Sequence, residues 1–154
     1  MHKKMGAFLV VLSLASCHNN PDQIIMKSLN GSWPKEEVQQ FDFSISDSQN
    51  PKNIIFVLRN NNDYPYSNIR LIVKTFQSGT KKAEVDTLNY LVAQPNGAWL
   101  GKGFGETKEI LFQYKMNYQF PANGKYSVAA IQAMRQDTLV GIEDIGVKIE
   151  TVKP

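Results

Sequence analysis

The chain has 154 residues, with 17 Lys and Arg against 14 Asp and Glu, for a formal net charge of +3. A single cysteine excludes an intrachain disulfide, and with only two histidines beside it a tetrahedral Cys/His zinc site cannot be assembled. The length suits one domain with a substantial core.

In chain order the first feature is a leader. His2, Lys3 and Lys4 precede an apolar run from Met5 to Leu14, closed by the small residues Ala15 and Ser16. That is a secretory signal pattern, too short for a membrane-spanning helix, which needs roughly 20 apolar residues. Leu14-Ala15-Ser16-Cys17 resembles a bacterial lipobox. The resemblance implies cleavage before Cys17, a diacylglycerol on its sulfur and an acyl chain such as palmitate on its amine. A thiolate on an exposed, extended segment is a competent nucleophile. Two or more acyl chains make a stable anchor, at about 0.8 kcal/mol per buried methylene. The alternatives are an ordinary signal peptide that happens to contain a cysteine, or an uncleaved N-terminal helix. The expected organisation is a cleaved leader over 1–16, a lipidated tether over 17–30 and one domain over 31–154. Removing sixteen residues leaves 138 of the 154, and Lys3 and Lys4 go with them. The 17 basic residues become 15 against 14 acidic ones, so the net charge falls from +3 to +1. The basicity is therefore mostly targeting signal and gives no argument for nucleic acid.

After a polar stretch from His18 to Asp22, a segment up to about Asn30 is expected to join the domain, and a short helix is predicted near Pro34 to Gln40. Beyond it the periodicity is two. Phe41, Phe43 and Ile45 alternate with Asp42, Ser44 and Ser46, a half-buried strand. Asn53 to Asn60 is a continuous apolar run that reads as a central strand, and Ile69, Leu71 and Val73 alternate with Arg70 and Lys74. Strands are also predicted over Lys82 to Val92, Lys108 to Phe112, Lys125 to Met134 and Gly141 to Glu150. Turn signals separate them: Asn61-Asn62-Asp63 with Pro65, Ser78-Gly79, Pro95-Asn96-Gly97, Pro121 with Asn123-Gly124, and Gly141. Seven or eight such strands predict an all-β, antiparallel two-sheet sandwich, Ig-like or jelly-roll-like. The runs are too short and uneven for an outer-membrane barrel.

The chemistry is sparse. After cleavage the only histidine is His18, on the tether, so a Ser-His-Asp triad or Cys-His dyad has no base within the domain. Paired acids occur at Glu143-Asp144 and at Glu106 and Glu109, and solvated turn positions account for both. No metal site and no cofactor are expected. Gly101, Gly103 and Gly105 fall on alternate residues of Gly97 to Glu106, a spacing that meets neither the dinucleotide fingerprint nor the phosphate-loop pattern. They fit bulges, positive φ or close backbone approach. Trp99, Leu100 and Phe104 are interleaved with them, giving an apolar loop that packs on the sandwich end or offers a partner-binding surface. Asn60 to Asn68 lacks the calcium-loop pattern and reads as a turn with Asx caps and a packed Tyr64-Pro65-Tyr66.

The lipobox, Arg59 to Phe76 (RNNNDYPYSNIRLIVKTF), Val85 to Lys115 and Phe120 to Glu150, in this order and spacing, resemble the gliding-motility lipoprotein GldH family. The resemblance implies an outer-membrane lipoprotein of gliding Gram-negative bacteria that works with other envelope proteins and with type IX protein secretion. It supplies no catalytic residue, cofactor or ligand. Cys17 is the one functional residue that carries over, as the membrane attachment point. The residues after it lack the acidic run of surface-exported lipoproteins, which favours the periplasmic face. The expected function is thus a non-enzymatic scaffold or accessory component. The rivals are a carbohydrate-binding module for peptidoglycan or surface polysaccharide, using Trp33, Trp99 and tyrosines, and a hydrolase built on two carboxylates.

Overall fold

The computed structural model describes residues 21–103 and 105–153. Ten strands follow in order: β1 (Gln23–Ser28), β2 (Ser32–Pro34), β3 (Gln39–Ile45), β4 (Lys52–Asn60), β5 (Asn68–Gln77), β6 (Ala83–Leu91), β7 (Lys108–Tyr118), β8 (Gly124–Gln132), β9 (Thr138–Val140) and β10 (Ile142–Thr151). One sheet has the order β1-β10-β4-β7, the other β3-β8-β5-β6, and β2 and β9 form a short ribbon. Every pairing is antiparallel. The expected two-sheet sandwich is the observed architecture.

Alternation decides which face each strand buries. In β3, Phe41, Phe43 and Ile45 are buried while Gln40, Asp42 and Ser44 are exposed. In β5 Ile69, Leu71 and Val73 are buried, and in β10 Ile145, Val147 and Ile149 are. These side chains meet Ile54, Phe56 and Leu58 of β4 in one core between the sheets. The apolar run of β4 is continuous because its other face is covered too. Val57 lies in a cross-strand row with Gly146, Met26 and Leu111. The Met26 side chain lies over Gly146, where a Cβ would come within 2.1 Å of its sulfur.

Three strands were not anticipated. β1 falls in the segment expected to join the domain and pairs with β10 from Gln23↔Ile149 to Ser28↔Asp144. β2 and β9 replace the helix predicted near Pro34 to Gln40: Trp33 pairs with Leu139, a turn follows at residues 35–36, and β3 begins at Gln39. Seven residues repay helix nucleation poorly. The ribbon instead buries Trp33 and Leu139 completely, and Trp33 Nε1 donates to the Glu37 carbonyl at 2.9 Å.

The strand directions define two poles. At the proximal pole lie the start of β1, the end of β10 and the segments 46–51, 78–82 and 119–123; at the distal pole lie 29–38, 61–67, 92–107 and 133–141. The nine residues of β4 separate them by roughly 30 Å.

Candidate functional site

The chain enters the fold at Pro21, so a tether leading to Cys17 leaves from the proximal pole, while the glycine-rich loop lies at the distal one. Cys17 and Phe104 lie outside the described residues.

Residues 92–100 form a small hairpin. The Gln94 amide donates to the Ala98 carbonyl at 2.8 Å and the Leu100 amide to the Val92 carbonyl at 2.9 Å. Asn96 Oδ1 accepts from the Ala98 amide at 3.0 Å, and Gly97 takes φ 86° to close the turn. Trp99 is half-buried. Its ring centroid sits 6.4 Å from that of Tyr64, and its Nε1 donates to Asn62 Oδ1 at 3.1 Å. Leu100, next to it, is 40% exposed. The sequence offered packing or an exposed surface for this loop, and Trp99 and Leu100 divide the two roles.

The glycines are there for close approach. A Cβ on Gly101 would lie 2.8 Å from the Glu109 carbonyl oxygen, and one on Gly103 only 2.5 Å from that of Thr107. Lys102 and Glu109 exchange backbone hydrogen bonds of 2.9 and 2.8 Å, and Lys108 Nζ donates to the carbonyls of Gly103 and Gly105 at 3.0 and 2.9 Å. The loop is thereby folded back onto the start of β7 (Lys108–Tyr118).

Beneath it, residues 60–68 make the expected turn. Asn61 Oδ1 accepts from the Asp63 amide at 2.9 Å, and the Tyr64 hydroxyl donates to the Asn68 carbonyl at 2.7 Å. Tyr64 is buried with Tyr66 edge-on at 5.8 Å, and burial pushes its hydroxyl well above the usual phenol range. Among the described residues, five of the eight exposed large apolar side chains belong to the distal half: Val38, Leu91, Leu100, Leu111 and Val140.

Of the acids named from sequence, Glu143 and Asp144 have different partners, while Asp144 and Glu109, one from each pair, meet at the Arg59 guanidinium. Asp144 lies 3.5 Å from Arg59 Nη1 and Glu109 accepts from Arg59 Nε at 2.8 Å, whereas Glu143 accepts from the Asn61 side-chain amide. A different pair was missed. Glu84 and Asp86 sit two apart on β6 (Ala83–Leu91) and reach across to β7. Lys115 Nζ is 2.7 Å from Glu84 and 3.3 Å from Asp86. Tyr114 donates to Asp86 at 2.6 Å, and Tyr118 donates to Glu84 at 3.1 Å. Period two within the predicted strand over Lys82 to Val92 already put both acids on one face, but nothing local identified the facing strand. The Tyr114 hydroxyl holds the Asp86 carboxyl below its usual range, and Lys115 does the same for Glu84. Both therefore stay ionised at neutral pH, and neither is poised to donate a proton. Trp33 has no exposed surface, which removes it as a stacking platform for sugar.

The GldH lipoprotein family profile matches residues 25–149. The gliding motility lipoprotein GldH homolog of Christiangramia forsetii is 42% identical over 126 residues, 77% of this chain and 76% of that one. The gliding motility lipoprotein GldH of Flavobacterium johnsoniae is 36% identical over 149 residues, 92% of each chain. Dimeric latent PorU from Porphyromonas gingivalis aligns with 84% of this chain and 13% of its own, at 12% identity and a TM-score of 0.34, too low to argue from. Residues across both sheets and both poles thus share one pattern with these relatives, and the chain belongs to the GldH lipoprotein family.

Proposed function

We propose that this gliding-motility lipoprotein is a non-enzymatic scaffold of the gliding machinery, linked to type IX protein secretion. Cys17 holds it by acyl chains on the periplasmic face of the outer membrane, and the distal pole binds other envelope proteins. The observation that supports this most is the polarity of the fold. The tether leaves from one end, and five of the eight exposed large apolar side chains among the described residues, Leu100 included, lie in the half towards the other. Such a domain presents its contact surface away from the bilayer, and confinement to one membrane raises its effective concentration near partners in that plane. The acids discussed above support the non-enzymatic part: Glu109 and Asp144 are tied to Arg59, Glu143 to Asn61, and Glu84 and Asp86 to Lys115.

The test is crosslinking of intact envelopes followed by affinity capture, comparing wild type with Leu100→Glu and Val38→Glu. Both positions are exposed, so the thermal midpoint is expected to stay within a few degrees of wild type. Captured envelope proteins and gliding should both be lost. Capture and gliding unchanged in the double variant would remove the distal pole as the partner surface.

A further inference from the structure

The proximal pole holds a side chain whose bonding is incomplete. Lys52 opens β4 (Lys52–Asn60), paired with Thr151 on one side and Tyr118 on the other, and its side chain is only 5% exposed. Its ammonium has three donors, yet no acceptor lies within hydrogen-bond distance. The nearest carboxylate oxygen, Asp47 Oδ2, is 4.0 Å away. Asp47 is itself engaged by the Asn50 side chain, which is the main reason its carboxyl is held below the usual range. A buried ammonium without hydrogen bonds is costly, and a fold keeps one where a ligand group or a network completes it.

Lys52 lines a cleft of about 210 Å³ together with Pro21, Gln23, Ser44, Ser46 and Thr151. Three of these carry hydroxyls and none carries a carboxylate. The Gln23 side chain fixes one wall, donating to the Ser44 carbonyl at 2.8 Å and accepting from the Ser44 amide at 3.3 Å. A lysine and three hydroxyl-bearing residues around a cleft without acids in its lining supply the chemistry for an oxyanion. The lysine head is covered by the surrounding chain, and the four rotatable bonds of its stem let it swing into the cleft.

Location selects the oxyanion. Pro21, which lines the cleft, is four residues from Cys17, and four residues span at most about 14 Å of extended chain. Resting on the reading that Cys17 carries the acyl chains, we propose that this cleft binds the phosphate of an anionic lipid headgroup, one whose charge no choline or ethanolamine ammonium offsets, in the bilayer to which the protein is tethered. The contact would fix the domain's orientation, turning the distal pole away from the membrane.

All ten strands and the described core lie between residues 23 and 151, so the chain from residue 17 onward with Cys17→Ser keeps the fold and has no acyl chains. Its flotation with phosphatidylcholine vesicles, with and without phosphatidylglycerol, is compared with a titration of inorganic phosphate followed by amide NMR. The expected result is enrichment on the phosphatidylglycerol vesicles and phosphate-dependent shifts at Ser44, Lys52 and Thr151. Lys52→Met should weaken the vesicle association about tenfold, the loss of one charge-assisted contact. Lys153→Met, at an exposed position of the same pole, should leave it unchanged. Equal flotation of wild type and Lys52→Met overturns the proposal. Saturable phosphate shifts without phosphatidylglycerol-dependent flotation overturn the lipid source, and absence of both overturns the anion site. The wild-type titration decides even if Lys52→Met fails to fold. The anchor is tested apart: acylated Lys52→Met stays in the membrane fraction, and release of Cys17→Ala from it depends on the acyl chains alone.

Discussion

Gly141 takes φ 82°, and a Cβ there would lie 2.2 Å from the Tyr64 amide nitrogen. The position combines left-handed backbone with contact against a buried turn, so neither the dihedral nor the neighbour can relax cheaply. Gly141→Ala is expected to cost about 2 kcal/mol or more, read as a lowered urea midpoint with an unchanged slope. Trp33 is the larger case. It fills the distal end of the core and satisfies its indole nitrogen on the Glu37 carbonyl. Trp33→Ala should lose about 3–5 kcal/mol in the same measurement. If that variant kept wild-type stability while losing affinity for a polysaccharide, the ring would be a ligand platform rather than core.

Among elements, β6 and β7 carry the clearest pH dependence. They are the free edges of the two sheets on one flank of the sandwich, and side chains bridge them. Glu84 and Asp86 point charge inward at that edge, one of the devices that discourage pairing with another chain. Their folded carboxyls titrate below the ordinary values of 4.5 and 3.8. The stability they contribute is therefore present above those values and lost as pH falls through the lower folded ones. Glu84→Gln with Asp86→Asn should flatten the loss of stability between about pH 5 and pH 2, measured as urea midpoints across that range. On the alkaline side, burial and the Asp86 charge push the Tyr90 hydroxyl up to about 12. Its contribution is intact below the ordinary value of 10.0 and is lost as pH rises toward 12, so Tyr90→Phe should lessen the alkaline loss.

For the whole molecule the N-terminal limit of the fold is the decisive quantity. Strand β1 covers the edge of β10, and Gln23 ties it to Ser44 on the other sheet. A chain starting at residue 21 should unfold in one cooperative transition. A chain starting at residue 31 would expose β10 as an unpaired edge beside Ile145, Val147 and Ile149. It should aggregate, seen as loss of the monomer peak in size-exclusion chromatography. Equal monomer yield and thermal midpoint for the two chains would show that β1 adds nothing to the fold.

Much of this was legible in the sequence because it is local. The faces of β3, β5 and β10 follow from residues two apart, and a strand's pleat enforces that period whatever lies opposite. The alternating glycines at 101 and 103 signalled bulges, positive φ or close approach, and close approach is what the structure uses there. Other features depended on partners distant in the chain. Trp33 and Trp99 are the same residue type in comparably mixed surroundings, yet pairing with β9 sealed the first while the second rests half-open against Tyr64. Glu84 and Asp86 meet Lys115 only because β6 and β7 end on the same flank. Lys52 reads as an ordinary strand-opening lysine until β10, β7 and the segment after β3 close around it. The sequence by itself determined seven of the ten strands, and the faces of those with clear alternation, through sterics between near neighbours. The order of those strands, the two poles and the burial of one ammonium were decided by long-range pairing, whose free energy is set by surfaces that no local window contains.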